Sequence, residues 1–166
     1  MSAKIMDPRP PLGASEARVE AALEAAGLPG RVCVMQELAT TADMAAAACG
    51  CDVAQIVKSL VFAGAETGKV HLLLVSGANR VHEKRAGKAI GEKLVRVNAD
   101  QVRAATGYAI GGVSPMGHGE GLPIWIDEDL MALEALWAAA GAPRSVFPVT
   151  PADLATATGG TIISVT

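Results

Sequence analysis

Two features of this 166-residue chain carry the residue types that electrostatic catalysis needs. The first is Lys58, the one charged residue in the run Ile56-Val57-Lys58-Ser59-Leu60-Val61-Phe62. A lysine inside such a run either snorkels its ammonium to water or points it into a polar cavity. With an ordinary pKa of about 10.4 it is a cation at neutral pH, suited to hold a phosphate or a carbonyl oxygen rather than to act as a base. The second is Gly107-Tyr108-Ala109-Ile110-Gly111-Gly112-Val113-Ser114-Pro115-Met116-Gly117-His118, with four glycines, a serine and a proline in twelve residues. Glycine adopts φ > 0 and lets a ligand touch bare main chain, while Pro115 stiffens the end of the segment. The segment reads as a binding loop or as a tight surface crossing, and pattern alone leaves both open.

Other chemistries fit poorly. Gly64-Ala65-Glu66-Thr67-Gly68-Lys69-Val70 lacks the first glycine of a phosphate loop and has Val70 where a magnesium-binding hydroxyl belongs, so it reads as a hairpin turn. Ser114 sits in Gly112-Val113-Ser114-Pro115-Met116, without the second glycine of a nucleophile elbow and with proline where a backbone donor is required. His82-Glu83-Lys84-Arg85-Ala86 lacks the second histidine of a zinc-protease helix. Cys49-Gly50-Cys51 has too few neighbouring ligands for a closed zinc site, because His71, His82 and His118 are scattered singly. No metal and no cofactor are expected.

The elements around these residues are set by periodicity and caps. Ser15 to Ala26, stopped by Gly27, reads as a helix; Arg31 to Leu38 as a strand; Thr41 to Gly50 as a capped alanine-rich helix. Gln55 to Ala63 and Val70 to Val75 form a predicted antiparallel hairpin. A basic helix from Val81 to Ile90, a strand from Lys93 to Asn98 and a helix from Asp100 to Thr106 lead into the glycine-rich loop. Beyond it come a strand over 123–126, a helix from Glu128 to Ala139, a strand over 146–149, a helix opening at Thr150-Pro151-Ala152-Asp153, and a strand from Thr161 to Val165. Hairpins and helices intermix without a regular βαβ repeat, so the expected class is α+β with a mixed, antiparallel-rich sheet. The division is a loose N-terminal arm over 1–14 and a single domain over 15–166.

The longest apolar runs, such as Leu72 to Val75, are too short to span a bilayer, and the first residues lack the apolar core of a signal peptide. Three cysteines without a disulfide spacing suit a reducing compartment, so a soluble cytoplasmic protein is expected. Net charge is −3, yet residues 79 to 96 hold six basic residues (Arg80, Lys84, Arg85, Lys88, Lys93 and Arg96) against two acidic ones, a local +4 that leaves −7 for the rest. Such a cluster is either a nucleic-acid contact or a solvated helix face.

Lys58 in its apolar run, the basic helix leading into Gly91-Glu92-Lys93-Leu94, the loop Thr106-Gly107-Tyr108-Ala109-Ile110-Gly111-Gly112-Val113-Ser114-Pro115-Met116-Gly117, and Ile124-Trp125-Ile126-Asp127 together resemble the YbaK/ProX family over roughly residues 15 to 166. These are free-standing aminoacyl-tRNA deacylases related to the editing domain of bacterial prolyl-tRNA synthetase. The resemblance implies a partly barrel-like sheet flanked by helices. It implies cofactor-free hydrolysis of a mischarged small amino acid (alanine, cysteine, 2-aminobutyrate, serine or threonine) from tRNA, with tRNA-Pro as carrier, a ribose hydroxyl of the tRNA taking part, and prolyl-tRNA synthetase as a further partner. It makes Lys58, Gly111 and Gly112 catalytic, with the two glycine amides facing the carbonyl, and Asn79, Ser114, Pro115, His118 and Asp127 substrate-binding. Arg80, Lys84, Arg85 and Lys88 become tRNA contacts. Val32, Val34, Met44, Ala47 and Ile56 are assigned to the side-chain pocket. The chain departs from the YbaK type in having no aromatic residue before Phe62 and in His118-Gly119-Glu120 after the Ser-Pro turn. The alternative is a non-catalytic tRNA-binding or synthetase-docking module.

Overall fold

The computed structural model describes residues 4–166. Its elements are α1 (Ala14–Ala25), β1 (Cys33–Val34), α2 (Ala42–Cys49), β2 (Ile56–Gly64), β3 (Val70–Ser76), α3 (Glu83–Ile90), β4 (Leu94–Arg96), α4 (Ala99–Thr106), β5 (Ile124–Asp127), β6 (Leu136–Ala139), β7 (Ser145–Val149), α5 (Pro151–Thr158) and β8 (Thr161–Ile163), with 3-10 turns at Val53–Gln55 and Glu128–Ala132. The class is mixed α+β, as the residues imply. One mixed sheet runs in the order β1-β7-β6-β2-β3-β5-β8, with β4 paired to β2 off that path.

Local signals account for most of these elements. Thr41 accepts from the Met44 amide and Gly50 ends α2 in the left-handed region. Thr150 accepts from the Asp153 amide with Pro151 in the first turn of α5. In α1 the observed cap is Gly13 rather than Ser15, and the Glu16 carboxylate reaches back to the Gly13 amide at 2.8 Å. The β2–β3 hairpin pairs Val57 with Ser76 through Ala63 with Val70.

Three expectations are corrected. The helix expected over Glu128 to Ala139 is a short 3-10 turn followed by strand β6. Its leucines and alanines favour a helix intrinsically, but Leu136 and Ala138 are buried on one side while Trp137 and Ala139 are half-exposed, so tertiary pairing with β2 and β7 overrides propensity. The strand expected from Arg31 to Leu38 is regular only at Cys33–Val34. Beyond it the chain pairs instead with the N-terminal segment, Ile5 bridging Met35 and the Gln36 amide donating to the Lys4 carbonyl at 2.9 Å. That segment, expected as a loose arm, is therefore docked from Lys4 onward, and Arg9 adds an ion pair to Glu20 and a hydrogen bond to the Val32 carbonyl at 2.9 Å. Residues 1–3 of the arm lie outside the described residues.

The sheet separates two cores. One face carries Val57, Leu72, Leu74, Val102, Tyr108, Val113 and Phe147, with Val61 against them. The other carries Phe62, Leu73, Val75, Ala86 and Leu94, with Leu60 and Val81 against them. Among the described residues, no helix is long and apolar enough to cross a membrane, and no three His, Cys, Asp or Glu side chains gather as a metal site. The three cysteines are free, and burial pushes the Cys49 thiol up to about 12.

Buried His71 accepts a hydrogen bond from Trp125 Nε1 at its Nδ1, at 3.1 Å, while its Nε2 has no partner among the described residues. Burial pushes its pKa below the ordinary value, Lys69 acts in the same direction, and nearby Glu92 opposes them. The folded state thus holds His71 neutral. As pH falls through about 6.5 the unfolded chain takes up a proton that the fold refuses, and this one group removes up to about 1.4 kcal/mol of stability per pH unit. Urea midpoints measured from pH 7.5 to 5.5 should fall more steeply for the native chain than for His71→Gln; equal slopes would show that His71 has no such role.

Candidate functional site

Strand β2 has a divided edge. Along one side it pairs with β3 throughout, but along the other it meets β6 only at Ile56–Val57 and β4 only at Phe62–Gly64. Residues 58–61 between them have no strand on that side among the described residues, and these four are the half-exposed residues of an otherwise buried strand. The Gly77 amide donates to the Ile56 carbonyl at 2.7 Å and the Gly64 amide to the Lys69 carbonyl at 2.8 Å. Even-numbered residues of β2 therefore turn their backbone toward β3, and the main chain of Ser59 faces the gap.

The gap opens into a cleft of about 790 Å³. Because side chains alternate along β2, the cleft draws on both faces of the sheet. On one side it is aliphatic: Val61, Val97, Val102, Ile110 and Val113 line it, together with Ser59, whose hydroxyl oxygen is buried without a partner among the described residues. On the other side Lys58, Arg80 and Arg96 line it beside Leu60, Phe62 and Val81, with Glu83 as the acidic exception. The Glu83–Arg96 pair is exposed and long, 3.9 Å, so it does little to neutralise that cationic side.

Lys58 does not snorkel freely. Its ammonium donates to the Asn79 carbonyl in the turn after β3. That turn is fixed from below by Asp127, which is buried; its Oδ2 accepts from the Ser76 amide at 3.0 Å and from Asn79 Nδ2 at 2.8 Å, and its Oδ1 from the Asp129 amide at 2.9 Å. Asn79 Nδ2 also donates to Asp129 at 2.7 Å. Burial lowers the Lys58 pKa, Arg80 lowers it further, and Asp127 opposes both. Three cations on one side of the cleft, with Lys58 partly desolvated, are an arrangement that an anionic oxygen stabilises.

The loop over 107–118 reaches the cleft at Ile110, Gly111 and Val113. The Gly112 amide donates to the Ala109 carbonyl at 3.0 Å, closing a turn in which Gly111 has φ +92°. Gly111 thus meets the conformational demand expected of the loop. Gly112 is glycine for another reason: a Cβ there would lie 2.9 Å from the Ala142 amide nitrogen, so the residue is set by packing, and its amide is already engaged.

The remaining site residues divide by position. Arg80 lies in the cleft wall with Lys58 and Gly111, whereas Asn79 and Asp127 sit beneath it. Ser114 and Pro115 are buried behind the loop, the Ser114 hydroxyl accepting from the Met116 amide at 3.2 Å. The His118 ring folds back on the carbonyls of Pro115 and Gly119, at 2.8 and 3.2 Å. None of these three lines the cleft. Lys84 and Lys88 border a neighbouring groove on α3, and Arg85 donates to the Thr166 carbonyl at 3.1 Å. The expected side-chain pocket is not at this site: Val32, Val34 and Ile56 are buried, and Met44 and Ala47 border a separate cleft of about 140 Å³. Sequence reasoning does not name the wall residues Ser59, Val61, Val97, Val102, Ile110 and Val113 as site residues, although the run through Lys58 contains the first two and the glycine-rich loop the last two.

The cleft thus combines a bare strand edge, the Lys58 cation and the Gly111 turn, with an aliphatic wall on one side and a basic rim on the other. Residues 36–157 match the aminoacyl-tRNA editing domain, and the chain belongs to that family, which makes it an aminoacyl-tRNA deacylase by class. YwhH of Bacillus subtilis is 30% identical over 114 residues, 69% of this chain and 72% of that protein. The Enterococcus faecalis protein named "Putative Cys-tRNA(Pro)/Cys-tRNA(Cys) deacylase EbsC" is 28% identical over 127 residues, 76% of this chain and 77% of that one. A crystal structure described as "a putative trans-editing enzyme for prolyl tRNA synthetase" superposes with a TM-score of 0.83 at 44% identity, covering 93% of this chain and 98% of the other.

Proposed function

We propose that this protein is a trans-editing deacylase that hydrolyses the ester of a mischarged small amino acid on tRNA, with tRNA-Pro as the carrier. The observation that carries this reading is the placement of Lys58 on the unpaired edge of β2, in the same cleft as the Gly111 turn. In the reaction the acyl C–O bond breaks, water supplies hydroxide to the acyl carbon and a proton to the ribose oxygen, and free amino acid and uncharged tRNA leave. Lys58 holds negative charge on the substrate, either the terminal phosphate or the carbonyl oxygen as it becomes an oxyanion, and the main chain at Gly111 closes the cradle around the carbonyl. An activated ester needs placement and electrostatic help more than a protein nucleophile, and the ribose hydroxyl beside the ester completes the site. Arg80 and Arg96 extend the cationic side toward the phosphates, with Lys84 and Lys88 beyond them on α3.

The aliphatic wall supports a small, largely apolar side chain, because among the described residues its one polar side chain is Ser59. A methylene is worth only about 1–3 kcal/mol in such a pocket, which is why a synthetase needs a second site to remove the wrong residue. The test is single-turnover deacylation across tRNAs charged with alanine, cysteine, 2-aminobutyrate, serine, threonine and proline. Release of at least one small residue from tRNA-Pro with Pro-tRNA-Pro spared is expected. Binding of uncharged tRNA with no ester loss on any member would assign the chain to the non-catalytic alternative. Adding prolyl-tRNA synthetase to the assay tests it as a partner.

A further inference from the structure

The loop that lines the cleft is held from behind by residues the reaction does not touch. Tyr108 is buried, and its hydroxyl donates to the Met116 carbonyl at 2.6 Å, tying the start of the loop to its far end. The guanidinium of Arg18, on α1, lies 4.4 Å from the centre of the Tyr108 ring and donates to the Gly107 carbonyl at 3.0 Å. A Cβ at Gly117 would fall 2.5 Å from the Tyr108 hydroxyl and 3.3 Å from the Arg18 carbonyl oxygen, so the loop lies directly on this pair. Behind Gly112 the chain at Gly141–Ala142 fills the space, and that chain in turn packs on α1, where a Cβ at Gly141 would be 2.8 Å from the Ser15 carbonyl oxygen. The Glu16 carboxylate of α1 accepts from the Ser145 hydroxyl beside it. The family match begins at residue 36, so α1 lies outside it.

We propose that Arg18 and Tyr108 are positioning residues for deacylation: together they form a brace on α1 that clamps both ends of the loop and holds the Gly111 turn at the cleft. This rests on the function proposed for the cleft. Cation–π contact and hydrogen bonding fix the ring and its hydroxyl in one place, and a turn displaced by about 1 Å can cost up to about 10²-fold in rate.

The variants are Tyr108→Phe, which removes only the hydroxyl, and Arg18→Met, which keeps an unbranched side chain at an exposed position and so preserves folding. With the tRNA on which the native protein is fastest, at a temperature well below every unfolding midpoint, kcat should fall about tenfold for Tyr108→Phe and about threefold for Arg18→Met, with KM within about twofold in both. Arg18→Lys should recover part of the loss, since the cation remains over the ring. In a Gly111→Ala background, which already distorts the turn, Tyr108→Phe should cost less than its full tenfold. Unchanged kcat in both variants, or losses that multiply fully with Gly111→Ala, would overturn the proposal. If the native protein releases no amino acid from any tRNA, the functional reading fails separately. The brace is then judged by amide hydrogen exchange over residues 110–113: faster exchange in Arg18→Met at unchanged global stability supports it, and unchanged exchange refutes it.

Discussion

Replacing Lys58 by alanine is expected to slow deacylation by about 10²–10³-fold, the range seen when one preorganised donor to a developing oxyanion is lost. The fold should survive. Lys58 lies in the half-exposed stretch of β2 where that edge carries no strand, and its backbone pairs with β3 regardless of side chain. Burial and Arg80 both act against its charge, so removing the ammonium relieves an electrostatic cost and the thermal midpoint should not drop. Affinity for tRNA should change by less than about threefold, because the phosphate contacts proposed for Arg80, Arg96, Lys84 and Lys88 do not involve Lys58. Lys58→Arg should not rescue the rate, since a planar fork does not substitute for a compact ammonium seated on the Asn79 carbonyl. Single-turnover rates with saturating enzyme decide the matter, and a variant as fast as the native chain would remove Lys58 from the mechanism.

Much of the frame is legible in the residues because it is local. Thr41 and Gly50 bound α2, Thr150-Pro151-Asp153 opens α5, and the glycines around Thr67 set the β2–β3 hairpin, each through interactions within a few positions. The division of the β2 edge is not local. It depends on β6 and β4 stopping short of each other on the same side of one strand, and β6 comes from a segment whose composition favours a helix. The cleft wall was hidden for the same reason, since Val97, Val102 and Val113 reach it from separate elements. Glycine content marks the loop over 107–118 as crowded or kinked but cannot say against what. Gly111 answers to backbone conformation, Gly112 to the chain at Gly141–Ala142. His118 reads as a substrate contact because it comes directly after the motif, yet its ring is occupied by two carbonyls of its own loop.

Asp127→Ala should have the largest effect on stability, and it should lower the rate as well. The carboxylate is 1% exposed and accepts from two backbone amides and the Asn79 amide. Alanine leaves those donors facing a space that water fills only in part, and each buried unsatisfied donor costs about 1–3 kcal/mol. The expected loss is about 3 kcal/mol or more, a fall of roughly 6–12 °C in the unfolding midpoint for a chain of this size. Asp127→Asn keeps the shape and one acceptor oxygen, so it should cost about half as much by the same reasoning. The kinetic consequence runs through Asn79: with its side chain held by Asp129 alone, the carbonyl that seats the Lys58 ammonium is no longer fixed, and kcat should fall about tenfold or more in either variant. Since that loss acts by way of Lys58, adding Asp127→Asn to Lys58→Ala should leave the residual rate nearly unchanged while still lowering the midpoint. Independent, multiplying effects in that double variant would instead mean that Asp127 meets the substrate itself, the role that its place after Ile124-Trp125-Ile126 first implies.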